Sequence, residues 1–296
     1  MKQARQHTRK AIVSGLAVSL CIQTVQAQEI TPEDDFASRL SFSAGFDVVS
    51  QYYFRGIIQE DQGFIFQPWG ELGITLYEYD DVSFGVSTGM WNSFHGDTST
   101  SGTVDDTTEH WYESDLYFGA NLDYGKLSFG ITHLFYTSPS NAFGTVSETD
   151  VSVSYDDSGM WSCICEDFAL SPSITLAFES GDNAADGGDT GTYFEFGIEP
   201  SFPLESSCFD NLTLSFPAAL GLSVSDYYED TSGSDETFGF LQVGTSLSLS
   251  LPVRNEYGIW SLTGGVHVLM LGDATKEMNN GDGTEFVASI GIGLEY

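Results

Sequence analysis

Residues 286–296 read FVASIGIGLEY, and this stretch decides the fold. Phe286, Ala288, Ile290, Ile292, Leu294 and Tyr296 share one parity, while Val287, Ser289, Gly291, Gly293 and Glu295 share the other. A period of two is the mark of a β-strand with unlike faces. The alternation runs to the last residue, whose side chain stands on the apolar face. Soluble domains commonly finish on a few loosely held residues. A chain that runs out on an aromatic strand position predicts an end anchored in the sheet.

The same period recurs upstream. Leu40, Phe42, Ala44, Phe46 and Val48 alternate with Ser41, Ser43, Gly45, Asp47 and Val49, and 212–224 repeats the pattern. Strands are predicted at 40–54, 64–78, 82–92, 111–124, 126–137, 147–156, 168–180, 192–204, 211–225, 237–252, 257–271 and 285–296. The polar parity carries Gly and Ser where a solvated sheet face would carry Lys and Glu. Short connections (79–81, 124–126, 205–210, 253–258) alternate with long polar ones (95–110, 180–191, 227–237, 272–285); 157–167 is long where a short turn is due. Short turns at one end and long acidic loops at the other predict an all-β, closed antiparallel transmembrane β-barrel of about 12 strands. Closure leaves no backbone edge in lipid. A soluble β-sandwich would explain neither the alternation of loop lengths nor the final strand.

The other end of the chain supports export. Lys2, Arg5, Arg9 and Lys10 precede the apolar stretch AIVSGLAVSLCI and a small residue at Ala27. That order predicts a signal peptide over 1–27, then a short periplasmic segment at 28–39 and the barrel at 40–296. Removing 1–27 leaves five basic residues against 43 acidic ones, a formal charge of −38. Such a chain repels nucleic acid. The implied partners are outer-membrane lipids and small ions or solutes. No cofactor is implied.

Two resemblances narrow the class. A terminal strand closing on an outward aromatic resembles the C-terminal signature that the barrel-assembly machinery of Gram-negative bacteria recognises, with Tyr296 where Phe is commoner. The first hairpin, with Ser50, Tyr52, Phe54, Arg55, Gly56 and Gln59, is similar to the start of the bacterial Gcw_chp family, whose members open on Ser-x-Tyr-x-Phe-Arg-Gly. That resemblance covers about one hairpin. It implies an outer-membrane location and no particular activity.

Candidate functional residues follow from parity. Arg55 is the only Arg expected in a strand, facing the lumen near the outer rim beside Gln51. Inward carboxylates on the same reasoning are Asp47, Glu71, Glu113, Asp115, Asp150, Glu195 and Glu199. A lone guanidinium among them either stabilises the barrel as an ion pair or forms a constriction. The acidic loops, one of them carrying His95 and His110, lack EF-hand or zinc spacing, so no metal site is assigned. Cys163, Cys165 and Cys208 remain after processing, and Cys208 is expected to bridge one of the pair in an oxidising periplasm. No nucleophile elbow, His-Glu-x-x-His or phosphate loop occurs, which argues against an enzyme. His133, placed outward, has no serine partner. Two functions remain: a narrow, cation-preferring, porin-like channel, or a non-conducting structural or adhesive platform. An open lumen favours the first, and a lumen blocked by side chains or an inward loop the second.

Overall fold

The computed structural model describes residues 36–96, 110–161, 168–204, 211–253 and 257–296. The expected leader, most of 28–39, and Cys163, Cys165 and Cys208 lie outside them. In chain order the strands are β1 (Leu40–Val49), β2 (Tyr52–Phe54), β3 (Ile57–Glu60), β4 (Ile65–Tyr79), β5 (Val82–His95), β6 (Trp111–Tyr124), β7 (Leu127–Thr137) and β8 (Val146–Tyr155). They continue with β9 (Ser173–Ser180), β10 (Thr192–Ile198), β11 (Ser201–Leu204), β12 (Leu212–Ser215), β13 (Ala218–Ser225), β14 (Phe238–Ser250), β15 (Ile259–Leu271) and β16 (Thr284–Glu295). A 3-10 turn, Phe36–Arg39, precedes β1, and a short α-helix, α1 (Asp273–Met278), lies between β15 and β16.

All strands except β2 and β3 form a single antiparallel sheet that closes on itself. β1 pairs with β4 on one side and with β16 on the other, Val48 facing Phe66 and Ile290. Pro200 and Pro217 interrupt two staves, so β10 with β11, and β12 with β13, each act as one. Proline has no N–H to give to a ladder. Counted this way the barrel has twelve staves, in agreement with the predicted number. Tyr296 closes it: its N–H donates to the Phe42 carbonyl and its carbonyl accepts from the Phe42 N–H, both at 2.8 Å.

The apolar parity faces outward with no protein over it. Leu72, Phe118, Val266 and Phe286 are 59, 52, 55 and 63 % exposed. A continuous apolar girdle around a closed sheet is stable against lipid and unfavourable against water. The other parity faces the lumen. We call the end bearing the tight turns after β4 and β6 the inner end, and the end bearing the long loops the outer end.

One predicted element is different. The first segment, 40–54, does not run as one strand. β1 stops at Val49, and β2 and β3 form a small separate hairpin within the barrel mouth. The reason lies in 52–54: Tyr52, Tyr53 and Phe54 are all buried, whereas a barrel stave would have to turn every second side chain to lipid. Arg55 and Gly56 make the turn, with φ of 47° and 85°. Positive φ at both central residues is the type I′ pattern of a two-residue hairpin. Arg55 therefore sits on a turn inside the mouth, and Gln51 on the bend leading to it, instead of on the wall.

Burial along the lumen shows where the plug lies. On β6, Glu113, Asp115 and Tyr117 are buried, and Gly119, Asn121 and Asp123 toward the inner end are partly exposed. β8 changes between Asp150 and Ser152, β14 between Gln242 and Gly244, and β15 between His267 and Gly265. The outer half of the lumen is filled by buried side chains, and on these four strands the lining toward the inner end is partly exposed.

Candidate functional site: the plugged outer mouth

The hairpin enters the mouth with Arg55 at its tip. Both guanidinium ends reach Glu148 on β8: Nη1 donates to Oε2 at 2.6 Å and Nη2 to Oε1 at 2.8 Å. Nη1 also donates to the Tyr227 hydroxyl at 2.7 Å, and Nη2 lies 3.8 Å from Asp150 Oδ2. The guanidinium is 4.1 Å from the Tyr193 ring centre and 5.1 Å from that of Phe54. Arg55 and Glu148 are 4 % and 0 % exposed, so this is a desolvated pair. Bidentate geometry and a stacked ring suit arginine and no other residue. Tyr136 on β7 completes the anchor by donating to Glu148 Oε1 at 2.9 Å.

Further hydrogen bonds fix the rest of the hairpin. Tyr228 donates to the Arg55 carbonyl at 2.9 Å. Asn279, just past α1, donates to the Gly56 carbonyl at 2.6 Å and accepts from the Ile58 N–H at 2.7 Å. Tyr52 donates to Glu113 Oε2 at 2.9 Å. Outside this contact the long loops tie themselves together: Asp189 N–H donates to Glu229, Glu229 N–H to Asp186, and Thr231 to Glu277. Burial, together with the like charge of Glu229, lifts the Asp186 carboxyl above its ordinary range despite the N–H bonds it accepts.

A third contact has the order of a catalytic triad. Ser93 Oγ is 3.0 Å from His95 Nε2, and His95 Nδ1 is 3.5 Å from Glu60 Oε2. Nucleophile, base and acid in that order can activate a hydroxyl. Here Ser93 is fully buried and Gln67 Nε2 shares its oxygen at 3.4 Å, so no acyl group reaches it in this conformation. The contact ties β3 to β5. His95 is an inward strand residue and not part of the acidic loop assigned to it from sequence.

The parity assignments place Asp47, Glu71, Glu113, Asp115, Asp150 and Glu195 inward. Glu113, Asp115, Asp150 and Glu195 gather around the hairpin, all buried. Glu71 lies lower on β4, where Tyr117 donates to it at 3.0 Å. Asp47 lies on β1 beside Trp69. Glu199 falls at the Pro200 break near the inner end, where its N–H donates to the Leu170 carbonyl, and takes no part in the outer cluster. His133 faces outward and contacts Thr149. Glu148, the main partner of Arg55, was not among the residues assigned from sequence, although it shares the parity of Asp150. Tyr193, Tyr227, Tyr228 and Asn279 were missed as well. The pair Tyr227-Tyr228 at the start of a polar loop was the available signal.

These features define a class: a closed twelve-stranded barrel of the outer-membrane type whose first outer loop turns inward as a plug. No family model matches the chain, and no curated protein matches it in sequence. Among solved structures it is similar to an outer-membrane channel from Pseudomonas putida F1, with a TM-score of 0.54 and 11 % identity over 90 % of this chain and 100 % of that one. It also matches a bacterial polysaccharide outer-membrane secretin (TM-score 0.42, 10 % identity, 88 % and 99 % covered). The transport unit of the autotransporter AIDA-I from Escherichia coli matches at TM-score 0.39 and 12 % identity, with 90 % and 93 % covered. The likeness is one of fold.

Proposed function

We propose that the protein is a porin-like barrel of the Gram-negative outer membrane that passes small solutes through a narrow, cation-preferring lumen, and that the inward hairpin sets its conductance. In this reading the signal peptide 1–27 is removed, the barrel-assembly machinery inserts the chain, and the apolar girdle meets outer-membrane lipid. The observation that carries it is the charge of the lumen. Asp47, Glu71, Glu113, Asp115, Glu148, Asp150 and Glu195 point inward, with Arg55 as the guanidinium among them. When the hairpin withdraws, these carboxylates line an aqueous path, where they lower the energy of a passing cation and raise that of an anion. The fold shared with the Pseudomonas channel supports this reading, and the covered Ser93 supports a non-enzymatic role.

The hairpin favours a second reading, a non-conducting platform that presents its loops, because the outer half of the lumen is filled. Reversal potential across a KCl gradient in planar bilayers separates the two. The channel reading expects cation preference that weakens at 1 M salt, where the screening length falls from about 10 Å to about 3 Å. It should also weaken on acidification toward about pH 4, where carboxylates take up protons. Anion preference refutes the lumen-charge argument, and no current from correctly folded protein selects the platform.

A further inference from the structure

We infer that the pocket around Arg55 is a recognition site for a guanidinium, filled in this conformation by the chain's own hairpin, and that solutes bearing a free guanidinium take the place of Arg55 when the hairpin withdraws. The transport consequence rests on the channel reading, but the binding does not require an open pore. Three observations carry the inference. First, the walls of the pocket belong to the barrel and its loops. Glu148 and Asp150 stand on β8, Tyr136 on β7, Tyr193 on β10, and Tyr227 in the loop after β13. Of the groups around the guanidinium only Phe54 leaves with the hairpin, so the pocket persists once Arg55 is gone.

Second, the pocket reads the shape of its occupant as well as its charge. Two parallel bonds to Glu148, at 2.6 and 2.8 Å, and a third to Tyr227, at 2.7 Å, demand a planar fork of N–H groups. The Tyr193 ring at 4.1 Å accepts a flat cation on its face. An ammonium or alkali ion supplies charge without the fork or the plane. Third, Glu148 is 0 % exposed with the hairpin docked. Withdrawal opens it to water and strips the guanidinium from both carboxylate oxygens, and an entering cation of the same shape restores both bonds. Such a cation therefore competes with the hairpin for the seat and favours the withdrawn state.

The test is chemical rescue of Arg55→Ala. Refolded protein is heated in guanidinium chloride far below denaturing levels, or in sodium or tetramethylammonium chloride at equal ionic strength, and the folded band is followed by heat-modifiable gel mobility. Guanidinium should raise the midpoint of Arg55→Ala by several degrees and leave wild type unmoved. Tetramethylammonium, which has no N–H, should have no effect, and Arg55→Ala with Glu148→Gln should lose the response. If Arg55→Ala refolds poorly in sodium, the expected result is a several-fold higher folded yield in guanidinium. Equal behaviour in guanidinium and sodium in both readouts, or the same rise in the double variant, overturns the inference. Conductance of the same samples keeps the two readings apart. A non-conducting protein that responds to guanidinium sinks the channel and leaves the site standing, and a conducting protein indifferent to guanidinium does the reverse.

Discussion

Arg55→Met tests whether the ion pair is what holds the mouth shut. Methionine keeps much of the side-chain volume and inherits the same positive φ, so the backbone contribution largely cancels. What changes is the charge: Glu148 keeps the Tyr136 hydroxyl at 2.9 Å and loses both guanidinium bonds. Removing one partner of a buried pair costs about 3–5 kcal/mol. If that cost falls on the docked hairpin, the undocked population rises by about two to four orders of magnitude, at about 1.4 kcal/mol per tenfold. Glu148→Gln should lie at the low end, because Tyr227 at 2.7 Å and Asp150 at 3.8 Å still hold the guanidinium. The double variant Arg55→Met with Glu148→Leu should recover much of the loss, since neither charge is then stranded. Open probability in single-channel recordings and amide hydrogen exchange over 52–60 both report docking. Unchanged current and unchanged exchange in Arg55→Met, or strictly additive costs in the double variant, would refute the argument.

Asn279→Ala strips the two hydrogen bonds to Gly56 and Ile58 without touching a charge. It should loosen the hairpin by about 2–4 kcal/mol while leaving ion preference unchanged, which separates plugging from lumen charge in the same recordings. Tyr296→Asp puts a carboxylate at an outward position that is 72 % exposed at the barrel seam, and should lower the folded yield in cells; a normal heat-modifiable band speaks against it. At the inner end, burial disfavours the Asp157 anion, but N–H donors from Ser171, Leu170 and Trp161 outweigh it and hold the carboxyl below its ordinary value. A depressed folded pKa contributes stability that is present above the unfolded value, about 3.9, and lost as pH falls through the folded one. Asp157→Ala should therefore cost about 1.5–3 kcal/mol at pH 7 and flatten the acid limb of an unfolding titration. A bridge from Cys208 to Cys163 or Cys165 should appear in non-reduced peptide mass spectra and contribute about 2–4 kcal/mol; three free thiols in exported protein contradict it.

Strand number, parity and the alternation of loop lengths were legible because the wall of a barrel has two environments, and each residue must choose one. Phe42, Leu72 and Phe286 could not sit inside, nor Asp47 and Glu113 outside. The same logic failed at 52–60. A segment inside the lumen has no lipid face, so its residues no longer alternate, and Tyr52-Tyr53-Phe54 read as the continuation of β1. Parity did bring Arg55 to the lumen near the outer rim, though on the wrong element. It could not name Tyr193, Tyr227 or Asn279, because which loops fold back over the mouth is decided by packing far along the chain.

The anchors of the hairpin lie at large separations in sequence. Arg55 meets Glu148 across 93 residues and Tyr227 across 172, and Gly56 meets Asn279 across 223. A contact forms only after both of its ends exist, and contacts between distant residues come late because their loops must first be closed. The hairpin is made early in synthesis but has nowhere to dock until β8, the loop after β13 and the segment after α1 are in place. A half-built wall, open at its seam, is thus also open at its mouth. Docking waits for the last pair of staves, so completion of the barrel and seating of the hairpin come together, and a chain that stalls before β16 should be more permeable than the finished barrel.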